Sequence, residues 1–139
     1  MLTDLEREIM KILVGLAPGD VAKHLFETAL THAQHFDAKV YLVTSLKGSS
    51  NTSDKEVEKA ENGLKYAESM FQKSGILCEV HLMIRGNSPG TDLFEFAQEN
   101  GIDEIIVGAR KRSAVGKALL GSVTQSVALS ATCPVVLVK

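Results

Sequence analysis

Tryptophan is absent from this chain of 139 residues, and aromatic side chains make up only 5% of it. A surface that stacks nucleobases on exposed rings is therefore not expected, and no nucleic-acid partner is assigned. An excess of one charge is also missing. The 15 Lys and Arg stand against 17 Asp and Glu, a net charge of −2, so neither nucleic acid nor an anionic membrane finds an electrostatic handle. No apolar run approaches the length of a membrane span. Cysteine is limited to Cys78 and Cys133, far apart and each inside an apolar segment. They read as buried free thiols of a cytoplasmic protein rather than as a disulfide or a metal pair. Several catalytic signatures are missing as well. The chain has no GxGxxG and no GxxxxGK[ST], which excludes a Rossmann dinucleotide fingerprint and a P-loop. It has no Gly-x-Ser-x-Gly elbow around Ser49, Ser50, Ser53 or Ser113, and no HExxH.

What is present is an ordinary globular composition, 45% hydrophobic and 23% charged, in a length that suits one domain with a real core. Residues 1–10 carry Asp4, Glu6, Arg7 and Glu8 and read as an N-terminal extension rather than a signal peptide. The domain is expected over residues 11–139. Its first apolar run, Lys11 to Leu16, reads as a buried strand. Asp20 is a plausible helix cap, and Val21, Leu25, Phe26, Ala29, Leu30 and Ala33 recur at helical spacing up to Phe36. Ala38 to Thr44 predicts a second strand. Val57, Ala60, Leu64, Ala67 and Phe71 predict a long helix ending near Gly75. Ile76 to Ile84 alternates as a third strand with one wetter face. A turn at Arg85–Gly90, a short helix around Leu93–Ala97 closed by Asn100-Gly101, a strand at Glu104–Val107, a helix at Ser122–Ala131 and a strand at Pro134–Val138 complete the order. Five strands alternating with four helices predict an α/β fold, a mainly parallel sheet with helices on both faces. Such sheets bind ligands beyond the C-terminal ends of their strands, where strand order reverses.

One stretch suits an anion. Ile105-Ile106-Val107-Gly108 runs into Arg110, Lys111, Arg112 and Lys117, and Gly121-Ser122 then opens a helix. Ser122 and Gln125 have the spacing of a capping box, and helix-start amides favour negative charge. The structural alternatives are a well-capped helix and a solvated basic loop. His24, His32 and His35 lie on the polar face or edge of the first helix and read as solvated, so no metal ligand set is assigned. No catalytic residue is assigned either.

The pieces Lys11-Ile12-Leu13-Val14, Arg85-Gly86-Asn87-Ser88-Pro89, Ala97 to Gly108, Leu119-Leu120-Gly121-Ser122-Val123 and Ala131 to Val138 together resemble a universal stress protein domain. The resemblance implies a three-layer sandwich with a five-stranded parallel sheet, adenine nucleotide alpha hydrolase-like and Rossmann-like. It implies ATP or AMP as ligand, Mg2+ as a companion ion at most, and a homodimer paired through Val135, Val136, Leu137 and Val138. Nucleotide-binding members carry Gly, two residues, Gly, nine residues, then Gly and Ser or Thr. Here Gly108 and Gly121-Ser122 match, while Lys111 holds the second glycine position. Ala17 stands where such members usually carry an aspartate. The resemblance thus implies phosphates against Gly108, Arg110, Lys111, Gly121, Ser122 and Val123, and a base between Gly15-Leu16-Ala17 and the strand end at Thr44. The implied role is regulatory, in the stress response, with little or no catalysis and at most slow ATP hydrolysis. The alternative is a dimeric interaction module whose pocket is degenerate.

Overall fold

The computed structural model describes residues 9–18, 23–48, 52–109, 111–112 and 118–139. Asp20, Val21, Ser49, Ser50, Arg110, Ser113, Lys117 and all of the expected extension except Ile9 and Met10 lie outside the described residues. In chain order the elements are β1 (Lys11–Gly15), α1 (Lys23–Phe36), β2 (Lys39–Leu46), α2 (Asp54–Lys73), β3 (Cys78–Ile84), α3 (Pro89–Glu99), β4 (Glu104–Gly108), β5 (Lys111–Arg112), β6 (Ala118–Leu119), α4 (Ser122–Ser130) and β7 (Val135–Val138). The main sheet has the order β3-β2-β1-β4-β7, and every pair in it is parallel. The expected α/β architecture is therefore present, and its strand order reverses between β1 and β4.

The elements form for local reasons that the sequence carries. Ser53 caps α2 by accepting the Glu56 amide, and Ser88 caps α3 by accepting the Thr91 amide. Pro89 follows in the first turn of α3, where its missing N–H costs nothing. Helix α3 therefore begins inside the segment expected to be a turn. Gly75 and Gly101 stop α2 and α3 with positive φ, a conformation other residues adopt only with strain. The small antiparallel ribbon of β5 and β6 lies where a plain loop was expected.

The sheet divides two apolar layers. On one face Ile12, Val14, Val40, Leu42 and Ile106 pack with Leu25, Phe26 and Ala29 of α1 and Leu64, Ala67 and Phe71 of α2. On the other, Leu13, Tyr41, Val43, Ile105 and Val107 pack with Leu93, Phe96 and Ala97 of α3 and Val127 of α4. Burial of these side chains supplies the main driving force for folding. On β3, Glu79 pairs with Lys39 and with His81, and His81 stacks on Tyr41, but Met83 on the same side is buried and Ile84 on the other is exposed, so the strand has no uniformly wetter face. The Lys39 ammonium lowers the Glu79 carboxyl below its ordinary range. Two further expectations need correction. Cys78 and Cys133 are free but only half-buried, and desolvation raises both thiols above their usual pKa. His32 is not simply solvated, because its Nδ1 lies 2.7 Å from Glu104 Oε1 at the start of β4. That partner is distant in sequence, which helical spacing alone cannot reveal.

Helices α3 and α4 touch closely through Gly90. A Cβ there would stand 2.6 Å from Ser126 Cβ and 2.7 Å from Ser126 Oγ. Ser126 Cβ is fixed by its backbone and cannot swing away, so the helices would have to separate. Gly90→Ala is expected to lower the unfolding free energy by about 1–3 kcal/mol, and Ser126→Gly in the same chain to recover part of it. Chemical denaturation of the two single variants and the double variant checks this; strictly additive losses would contradict it.

Candidate functional site

Beyond the C-terminal ends of β1 and β4 the structure opens a cavity of about 580 Å³. Gly15, Leu16, Ala17 and Pro18 form one wall, Val107 and Gly108 a second, and Gly121, Ser122, Val123 and Thr124 a third. Pro89 and Leu93 of α3, Ser45 of β2, Lys23, His24 and Leu25 of α1, and the chain end Val138-Lys139 complete it. Of the residues expected at the site, Gly15, Leu16, Ala17, Gly108, Gly121, Ser122 and Val123 thus line one hollow. Lys111 falls in β5, and Arg110 is outside the described residues.

Thr44 does not line the cavity; its neighbour Ser45 does. Strand β2 runs on to Leu46, beyond the expected end. Alternation then turns Thr44 toward the α1/α2 layer and Ser45 toward the α3/α4 layer. The capping box also needs correction. Gly121, not Ser122, is the cap residue of α4, and no side chain caps this helix. Ser122 is one position inside, and Gln125 Nε2 donates to the Leu120 carbonyl instead. The first intrahelical bond runs from the Gln125 amide to the Gly121 carbonyl. The amides of Ser122, Val123 and Thr124 come before it and have no acceptor within the helix.

The three glycines on the walls differ in what holds them. At Gly15 a Cβ would come within 2.9 Å of Val107 Cγ1 and 3.1 Å of Leu93 Cδ1, so packing accounts for it. At Gly108 and Gly121 a Cβ would meet no described residue within 4 Å, and neither backbone is left-handed. Neither contact with a described residue nor backbone conformation requires glycine at these two positions. Both glycines line the cavity.

Thr124, which sequence reasoning did not single out, holds these parts together. It is buried, and its Oγ1 donates to the Gly108 carbonyl at 2.7 Å. The bond ties the end of β4 to the first turn of α4 and so sets the gap between the two glycines. A threonine in a helix start gives no sequence signal for a partner on another strand. Lys23, His24 and Lys139 add cationic or titratable groups to the lining. Among the described residues no Asp or Glu side chain lines the cavity and no cluster suited to a metal occurs. The described residues therefore supply no carboxylate to the cavity for a protein-held Mg2+. No helix among the described residues is long and apolar enough to cross a membrane.

Thr124→Val keeps the shape and removes the donor. It is expected to cost about 1–3 kcal/mol of stability, and Thr124→Ser to cost clearly less. Denaturant titrations in which the Thr124→Val variant is as stable as the wild-type protein would contradict this.

The chain matches the family model described as the universal stress protein family over residues 8–139. It is 28% identical to a universal stress protein of Methanocaldococcus jannaschii over 140 aligned positions, covering 93% of this chain and 81% of the relative. Among solved structures it is similar to a universal stress protein from Archaeoglobus fulgidus, with TM-score 0.84, 37% identity and coverage of 94% of this chain and 98% of that one. A universal stress protein from the same organism, solved in complex with dAMP, gives TM-score 0.79 and 32% identity, covering 95% of this chain and 99% of that one.

Proposed function

The chain belongs to the universal stress protein family, and we propose that it binds an adenine nucleotide, AMP or ATP, in the cavity between β1 and β4. The observation that carries this reading is the pair Gly108 and Gly121, glycines on the cavity wall that no contact with a described residue requires. Phosphate oxygens would accept from the free amides at the start of α4, where the helix dipole favours negative charge. The ribose would lie over Leu16 and Ala17, and the base would reach toward the end of β2. Complex formation with dAMP by a relative of 32% identity supports the same ligand class. The role would be regulatory, in a cytoplasmic stress response, with hydrolysis at most slow.

Self-association through the sheet edge is part of the same reading. Strand β7 stands at that edge, with one side paired to β4. It reads Val-Val-Leu-Val, carries no charge, and leaves Leu137 38% exposed. An uncharged edge is a template for another strand, and a second copy meeting it about a two-fold axis would give a dimer.

Two measurements test these readings. Gly121→Val should still fold, with at most a small loss of stability, because a Cβ there meets no described residue, yet should weaken AMP and ATP binding by at least about tenfold, about 1.4 kcal/mol. Calorimetric titration showing equal affinity would place the ligand elsewhere. For the dimer, Val136 packs on the core, so Leu137 is the cleaner probe: Leu137→Glu should give a monomer by light scattering, and a dimer mass retained in the variant would contradict pairing through β7.

A further inference from the structure

Behind the cavity wall lies a carboxylate that the nucleotide reading does not use. Asp92, in the first turn of α3, is fully buried at 0% exposure. Ser45 Oγ donates to its Oδ2 at 2.5 Å, and Asn87 Nδ2 donates to its Oδ1 at 3.4 Å. Ser45 lines the cavity, and Asp92 does not. A serine hydroxyl has one proton to give and two lone pairs to offer. With that proton committed to Asp92, Ser45 presents only an acceptor to whatever occupies the cavity.

The position of Ser45 indicates which part of a ligand it meets. Gly15 stands level with Val43 on one side and Val107 on the other. Ser45 and Gly108 therefore lie at the same end of the sheet, with β1 between their strands. Two strand spacings amount to about 10 Å. That is roughly the reach from the phosphate of a nucleoside monophosphate to the far edge of its base, and well past the ribose. With phosphate at Gly108 and Gly121, the base edge arrives at Ser45.

We infer that Ser45, held as an obligate acceptor by Asp92, selects bases carrying an exocyclic amine at that edge over bases carrying a carbonyl oxygen there. The inference rests on the nucleotide reading above. An amine donates to the Ser45 oxygen, whereas a carbonyl oxygen meets two lone pairs and leaves buried acceptors unpaired, which is costly. Asp92 acts here as a positioning residue, since it reaches the ligand only through Ser45.

Asn87 makes the Asp92→Asn variant informative. Asn87 Nδ2 needs an acceptor, so the oxygen of the new amide should turn toward it. The amide nitrogen then faces Ser45 and donates to Oγ, and the Ser45 proton swings into the cavity. Calorimetric titration with AMP and with inosine monophosphate, which carries oxygen in place of the amine, reads the result. Wild type should prefer AMP by at least about tenfold. Ser45→Ala should bring the ratio toward unity, and Asp92→Asn should shift it toward inosine monophosphate. If Asp92→Asn fails to fold, Ser45→Ala alone decides. A ratio unchanged in the variants overturns the inference. So does equal binding of both nucleotides by wild type that Gly121→Val weakens, an outcome that leaves the nucleotide reading standing. Failure of wild type to bind either nucleotide overturns both.

Discussion

The hydrogen bond from Thr124 to the carbonyl of Gly108 is the constraint on which the site depends. In a parallel sheet with helices on both faces, the chain diverges from the strand ends that flank the order reversal, and a crevice results from topology alone. Topology does not set how wide that crevice stands. Helix α4 starts beyond the short β5–β6 ribbon, and topology alone is compatible with several positions for it. The buried threonine fixes one of them. It places the amides at the start of α4 across from Gly108, with no described residue against either glycine where a side chain would begin.

The site has a price in the fold's own terms. A glycine cap forgoes only about a few tenths of a kcal/mol relative to a serine or aspartate, the kind of side-chain cap that α2 and α3 both have. A buried carboxylate is a second concession, tolerable only because it is partnered at both oxygens and sits in a first helical turn, where the dipole is favourable. The helix start borders the cavity, and the carboxylate lies behind Ser45, which lines it. The two apolar layers on either side of the sheet supply the stability that lets this corner depart from the best local choices.

Much of the architecture is legible in the sequence because it depends on short-range pattern. Apolar runs at Lys11–Leu16 and Glu104–Val107 and the helical spacing of Val57 through Phe71 mark buried strands and an amphipathic helix directly. Gly108 and Gly121 stand out by their place after a strand and before a helix. What escapes sequence reasoning depends on pairing across the fold. Ser45 escapes because β2 runs past Thr44, and one further residue changes the face to which a side chain points. Asp92 carries no signal in the sequence, and only the packing of α3 on β2 shows that it is buried. Ser122 takes the role of its neighbour in a sequence reading because a capping box is recognised by spacing, and that spacing tolerates a slip of one position. Neither the Thr124 bond to Gly108 nor the His32 bond to Glu104 leaves a local signature.

The most direct measurement is a crystal structure grown with saturating AMP. The phosphate should lie within hydrogen-bonding distance of the Ser122 and Val123 amides, close above Gly108 and Gly121, with the base extending over β1 toward Ser45. A cavity that stays empty under saturating ligand, or AMP bound away from these two glycines, would contradict the account.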